Sequence, residues 1–362
     1  MSYKILHIVG NRPHLIKLAP VSRAIINEPK LEQVIVHTGQ HYDEMMSDHF
    51  IKQLGLPRPV YNLEVGSSGA LRQIGTVLIK LEDIFEKESP NLVLVYGDTN
   101  STAAGAIAAA KSNIPLGHVE SGLREYDKNI PEEINKLLTD SVTDLFFVPT
   151  PTGVANLKKE GKEKHVYNTG DVGLDLVFQS ETEISKANSI LAANDLIKGD
   201  FVFMTCHRAN NTASKEKLQA ILEAANEINK KIYFPIHPRT LKTIKSFNLE
   251  HLINKPNWVT SDPIGFFETQ ALIKNAFFCL TDSGGVTKES YFHETPAIIT
   301  DVQTEWLETI EEGWCHVAGP NKSKIIEIAK SIVPGVKGKK SLGDGQASNK
   351  IVEIIVNFLS TK

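Results

Sequence analysis

Carboxylates at Asp98, Glu120 and Glu132 follow apolar runs or sit in a polar loop, and their spacing gathers no set of metal ligands. Carboxylates held near one another are driven apart in pKa, so that one can take a proton and another can give one. That chemistry suits removing and returning a proton on a sugar carbon. Capping is the plainer alternative: Asp98 at the start of an alanine-rich helix, and Glu132 and Glu133 in a first turn opened by Pro131. The pattern favours capping for Glu133 and proton chemistry for Asp98 and Glu120.

A second group is suited to an anion. The stretch Thr281-Asp282-Ser283-Gly284-Gly285-Val286-Thr287-Lys288-Glu289 follows the apolar run 276–280 and can open a helix. Free N–H groups at such a start, with glycines that let a ligand come close, fit the diphosphate of a nucleotide. Glu289, about one turn in, is placed to accept from a ribose. A Gly-Gly turn serving geometry alone is the competing reading. Arg12, Lys17, Arg208 and Arg239 could balance a diphosphate, arginine with paired donors, although a lysine on a helix is usually a solvated face. Cys206 adjoins the candidate His207 but ends an apolar strand, so it reads as a small buried hydrophobe rather than a nucleophile.

These groups must be positioned by an alternation of strands and helices. Apolar runs at 4–9, 34–37, 92–96, 116–119 and 145–148 read as strands. Residues 15–26, 71–85 and 103–111 read as helices, and Gly10-Asn11-Arg12-Pro13-His14 as a turn. A second alternation follows Gly170-Asp171-Val172-Gly173, read as a linker, with strands at 201–205, 232–236, 258–259, 277–280 and 297–299. Continuous apolar strands imply parallel sheets covered on both faces. The expected fold is α/β, with two Rossmann-like doubly wound domains facing across a cleft. The first spans 1–170 and the second, nucleotide-binding one spans 171–346, while a helix at 347–362 can pack back on the first. Ligands of such sheets bind beyond the C-terminal strand ends. Arg12 and His14, Gln40 and His41, Asp98, Glu120, Glu132, His207 and Arg208, His237 and Arg239, and 283–289 all fall on or near those edges.

The remaining properties narrow the class. The chain of 362 residues suits two domains, and its net charge of -4 leaves no basic footprint for nucleic acid. Its three cysteines are far apart and odd in number, as expected of reduced thiols in a cytoplasm. The first apolar run is too short for a signal peptide or membrane span.

Gly10-x-Arg12-Pro13-x-x-x-Lys17, Thr38-Gly39-Gln40-His41, Gly97-Asp98-Thr99, His118-Val119-Glu120-Ser121-Gly122-Leu123-Arg124, Pro131-Glu132-Glu133-x-Asn135, His207-Arg208, His237-Pro238 and Thr281-Asp282-Ser283-Gly284-Gly285 occur in order along nearly the whole chain. Jointly they resemble the non-hydrolysing UDP-N-acetylglucosamine 2-epimerase family. The resemblance implies a glycosyltransferase-B-like fold, usually dimeric, that holds UDP mainly in its second domain and uses no cofactor. It implies inversion at C2 of a UDP-linked 2-acetamido sugar by loss of UDP to a glycal-type intermediate and its re-addition. Asp98, Glu120, Glu132 and His207 match the family's catalytic group. Arg12, Ser283, Gly284, Gly285 and Glu289 match its UDP-binding group, with Lys17, Arg208 and His237 as further contacts. Gln40, His41 and His237 match positions that meet a regulatory second UDP-sugar in some members.

His14, Lys136, Asn210 and Thr287 depart from the usual pattern. Asn100-Ser101-Thr102, Pro131-Glu132-Glu133-Ile134-Asn135, Gln303-Thr304-Glu305-Trp306 and Gly345-Gln346-Ala347-Ser348 look more like the branch acting on UDP-2,3-diacetamido-2,3-dideoxyglucuronate. UDP-N-acetylglucosamine and such a modified sugar stand nearly level as substrates. A glycosyltransferase of the same fold, or a UDP-sugar-binding protein without catalysis, are the alternatives.

Overall fold

The computed structural model describes residues 2–39, 50–338 and 340–361. The chain divides into two compact units, Met1–Gln179 with Lys340–Lys362, and Ser180–Lys339.

The first unit contains strands β1 (Tyr3–Val9), β2 (Leu31–His37), β3 (Tyr61–Asn62), β4 (Leu92–Tyr96), β5 (Leu116–Val119), β6 (Leu145–Val148) and β7 (Val166–Asn168). They pair in parallel in the order β3-β2-β1-β4-β5-β6-β7. The second contains β8 (Phe201–Thr205), β9 (Lys231–Pro235), β10 (Trp258–Ser261), β11 (Phe278–Thr281), β12 (Ala297–Ile299) and β13 (Cys315–Val317), also parallel, in the order β10-β9-β8-β11-β12-β13. Both are the doubly wound α/β sheets that the apolar runs imply. Each has one reversal of strand order, between β1 and β4 and between β8 and β11, and such a switch point is where open sheets of this kind bind ligands.

Packing explains why these segments adopt this form. β4 is buried along its whole length, and the Ala70–Glu88 and Asn100–Lys111 helices cover that sheet. A Cβ at Gly105 would lie 2.8 Å from Ile8 Cδ1 and 3.0 Å from Val95 Cγ1, so this helix approaches the sheet more closely than alanine would allow. In the second unit Val202, Met204, Phe234 and Leu280 pack with Leu218, Ile221 and Leu222 of the Lys215–Asn226 helix.

The boundary falls later than the turn at 170–173. Val172–Gln179 is a helix of the first unit, and Asp175 accepts hydrogen bonds from the Ala347 and Ser348 amides and the Ser348 hydroxyl. Burial raises the pKa of Asp175 despite those donors. Gly170, at a φ of 87°, lies so close to Gly343 that a Cβ would stand 2.7 Å from its Cα. The second passage of the chain into the first unit therefore begins at 340, ahead of the Ala347–Ser360 helix.

Each unit buries a neutral histidine. His7 in β1 meets the Tyr96 hydroxyl at 2.8 Å, and His293 meets Gln270 Oε1 at 2.9 Å. Burial lowers both pKa values to about 3, against 6.5 for the free side chain. Between those values the unfolded chain binds protons that the folded chain does not, so this stabilisation is present above pH 6.5 and is lost as pH falls toward 3. The two residues together contribute on the order of several kcal/mol to that dependence. The urea midpoint is expected to fall clearly between pH 7.5 and pH 5.0; equal midpoints would contradict it.

Candidate active site

In the first unit the switch point brings together the end of β1, the end of β4 and the end of β5. Asn11 caps the first helix, its Oδ1 accepting from the His14 amide at 3.1 Å. The helix therefore runs Arg12–Ile26, one turn earlier than its apolar spacing indicates, and Arg12 and His14 lie within it rather than in a turn. Pro13 in that first turn needs no amide partner. The Arg12 guanidinium lies 4.5 Å from the centre of the Phe50 ring.

Gly97 follows β4 at a φ of 59°. A Cβ there would stand 2.9 Å from Lys17 Nζ, 3.7 Å from His14 Nε2 and 3.8 Å from Glu120 Oε1, so these three groups converge beside Asp98. Lys17 Nζ lies 2.7 Å from Glu120 Oε1, and both side chains are about nine-tenths buried. The lysine expected to balance a diphosphate is thus not a solvated face: it pairs with Glu120. Glu120 itself has a φ of 73°, a left-handed conformation that costs a non-glycine residue roughly 1–3 kcal/mol and concentrates at functional sites. His14 is neutral, because burial and then the Lys17 charge hold its pKa well below the usual value. Its Nδ1 accepts from the Gly10 amide at 3.2 Å, which leaves the ring proton on Nε2.

The capping alternative for Asp98 fails, because Thr99 caps the Asn100–Lys111 helix in a reciprocal box with Thr102. Asp98 Oδ2 lies 3.9 Å from Lys136 Nζ, which also stands 3.5 Å from Glu125 and 3.9 Å from Glu133. Asn135 donates to the Asp98 carbonyl at 2.9 Å, tying the Pro131–Val142 helix to this loop. Glu132 is exposed in the first turn of that helix. Glu133 points inward and accepts from the Glu125 and Tyr126 amides, so its role is structural.

Beneath these loops lies a buried network with no obvious signal in the sequence. Asp140 receives His118 Nδ1 at 2.7 Å, an Arg124 guanidinium nitrogen at 2.8 Å and the Gly122 amide at 3.1 Å. His118 Nε2 reaches the Gly97 carbonyl at 2.7 Å, and Arg124 is also gripped by Glu160. Burial pushes the Asp140 pKa up, but His118 and Arg124 outweigh it and hold the carboxylate below its usual value.

In the second unit Asp282 joins the two sides of the switch point. Its carboxylate accepts from the His207 amide at 2.9 and 3.0 Å and the Arg208 amide at 2.9 Å, and from Asn211 Nδ2 at 3.3 Å. The loop after β8 is thereby tied to the loop after β11. His207 Nδ1 is 3.6 Å from Asp282 Oδ1 with its side chain half exposed, and Arg208 pairs with Asp301 at 2.8 Å. Ser283 caps the Gly284–Phe292 helix, accepting from the Val286 amide, and Glu289 is half-buried one turn further on. His237 caps the Pro238–Ser246 helix: its Nδ1 accepts from the Arg239 amide at 3.2 Å. Burial, then the charges of Arg239 and His207, lower its pKa. Asn210 accepts from Lys217 Nζ at 2.6 Å. Cys206 is buried, and burial together with Asp282 pushes its thiol well up, which fits a packed hydrophobe.

Gln40 and His41 lie outside the described residues. Among the described residues no group of three or more His, Cys, Asp or Glu is placed to hold a metal ion, and no helix is long and apolar enough to cross a membrane.

A family model described as UDP-N-acetylglucosamine 2-epimerase matches residues 23–356. The chain is 45% identical over 358 residues to a UDP-N-acetylglucosamine 2-epimerase homolog of Methanococcus maripaludis, covering 98% of this chain and 100% of that protein. It is 41% identical to the UDP-2,3-diacetamido-2,3-dideoxy-D-glucuronate 2-epimerase of Pseudomonas aeruginosa, over 98% of this chain and 100% of that one. The crystal structure of Methanocaldococcus jannaschii UDP-GlcNAc 2-epimerase in complex with UDP-GlcNAc and UDP superposes with a TM-score of 0.90 at 38% identity, covering 98% of this chain and 99% of that one. With the family model matched over 23–356 and relatives aligned from end to end, the chain belongs to the UDP-N-acetylglucosamine 2-epimerase family.

Proposed function

We propose that this chain inverts C2 of a UDP-linked 2-acetamido sugar. The C2 proton is lost to a side chain and the C1–O bond to UDP breaks, leaving a glycal-type sugar and free UDP. UDP then adds back at C1 while a proton is delivered to the opposite face of C2. The convergence of Glu120, Lys17 and His14 beside Asp98 carries this reading: a buried and a partly exposed carboxylate with different cationic neighbours are what sequential proton transfer needs. Asp98, Glu120, Glu132 and His207 form the proposed catalytic group. Arg12, Arg208, Ser283, Gly284, Gly285 and Glu289 are assigned to UDP. Donors at the start of the Gly284–Phe292 helix suit a departing diphosphate, whose negative charge grows as the C1–O bond breaks. His237 is assigned to the substrate through its ring edge, since its Nδ1 is committed to the cap.

For the sugar, the diacetamido-uronate is as well supported as UDP-N-acetylglucosamine. Lys136 offers a compact ammonium among three carboxylates, and a lysine presents no fork to a planar group. Proton NMR in D2O with each sugar tests the reading. Deuterium at C2 together with the manno epimer is expected, and the faster sugar names the substrate. UDP binding with no exchange on either sugar would instead favour a transferase or a binding protein. We further propose a homodimer working in the cytoplasm, without a cofactor, to be checked by light scattering and fractionation.

A further inference from the structure

Trp306 is almost fully buried, and its Nε1 has no hydrogen-bond partner. The other two tryptophans are satisfied: Trp258 donates to Asn226 Oδ1 at 3.0 Å and Trp314 to the Val336 carbonyl at 3.4 Å. An indole nitrogen can only donate, so a buried one without an acceptor costs free energy that a ligand can return.

The position of this unpaired donor suggests which ligand. A Cβ on Gly284 would lie 3.4 Å from Trp306 Nε1 and 3.7 Å from a guanidinium nitrogen of Arg208. Gly284 opens the nine-residue Gly284–Phe292 helix, whose first amides face outward with the positive end of the helix dipole. Lys288 Nζ stands 4.9 Å from the centre of the Trp306 ring. Two carboxylates of the adjoining loops have other partners: Asp282 takes the His207 and Arg208 amides, and Asp301 takes Arg208 and the Val302 amide. The start of this helix thus gathers an indole N–H and a guanidinium around a residue with no side chain, with an ammonium beside the indole ring.

We propose that Trp306 is an anion-binding residue, its indole N–H completing, with the first-turn amides and Arg208, a site for a phosphate oxygen of a nucleoside diphosphate. The identity of the nucleotide rests on the epimerase reading; the anion site does not. Arg208, 39% exposed, is the group that turns to let an oxygen reach Nε1. A family pattern built on charged residues would pass over this position, because tryptophan ordinarily signals packing.

The chain's three tryptophans make the test direct. Indole proton–nitrogen spectra of the intact protein, assigned with Trp306→Phe or by elimination with Trp258→Phe and Trp314→Phe, are titrated with UDP, pyrophosphate and uridine. The Trp306 signal is expected to move downfield with UDP and pyrophosphate and to stay in place with uridine. Trp306→Phe is expected to bind UDP about tenfold more weakly, with uridine unchanged. A stationary Trp306 signal while UDP binds, or full UDP affinity in Trp306→Phe, would overturn the proposal and leave the epimerase reading standing. A shift with pyrophosphate but no binding of UDP would keep the anion site and remove the nucleotide reading. No response to either anion would overturn the site.

Discussion

Glu120→Gln is expected to slow C2 proton exchange by about 10²- to 10⁴-fold, the usual worth of a positioned acid or base, while UDP affinity stays nearly unchanged. The substitution preserves shape and removes only the ability to hold a proton. Lys17 sits 2.7 Å from this carboxylate, and proton acceptance is the role proposed for it. Asp98 lies 3.9 Å from Lys136, a lysine that Glu125 and Glu133 also face, and is proposed for the opposite role. Asp98→Asn should therefore match Glu120→Gln in depth of loss. Because Glu120→Gln leaves Lys17 buried without its counter-charge, circular dichroism and a melt must accompany the exchange assay. Full exchange in both folded variants would remove the acid/base assignment.

Asp140→Asn should be costly in a different way. Arg124 and His118 are fully buried, and Asp140 is the carboxylate they share. Removing one partner from such a group strands the other charge and costs about 3–5 kcal/mol. The expected result is a large drop in urea midpoint, with the second unit less affected than the first. The pH dependence has a definite sign: the Asp140 pKa is held below 3.8 in the folded chain, so its stabilisation is present above that value and is lost as pH falls through the folded pKa. The native protein should lose this part on acidification and the variant should lack it throughout. Equal midpoints near neutral pH would mean that Glu160 alone satisfies Arg124.

The sequence revealed most of the sheet architecture, because a parallel strand buried on both faces leaves a continuous apolar run such as that of β4. It also located the switch-point residues, since polar groups directly after such runs have few other places to go. It did not reveal what those groups do to one another. Lys17 reads as a surface lysine or a phosphate contact, and nothing in its helix shows that Glu120, about a hundred residues later, neutralises it. His237 reads as a ligand contact while its Nδ1 caps a helix. Asp282 reads as part of a glycine turn, yet its carboxylate gathers the amides of the neighbouring loop. Start points were obscured by caps: Asn11 extends the first helix back to Arg12, and Thr99 displaces Asp98 from the capping position. Trp306 carried no chemical signal of its own.

The bond between Asp175 and the amides of Ala347 and Ser348 has a consequence for how the protein is made. A unit assembled from residues 1–179 and 340–362 has the whole of the other unit inserted in its covalent course. On the ribosome, the sheet formed first waits without its closing helix while some 160 further residues emerge, a time of order ten seconds at ordinary synthesis rates. The inserted unit, contiguous in sequence, has everything it needs to fold during that wait. The earliest-made part of the chain is therefore the last to be completed, and it spends its synthesis with an unfilled place for its closing helix.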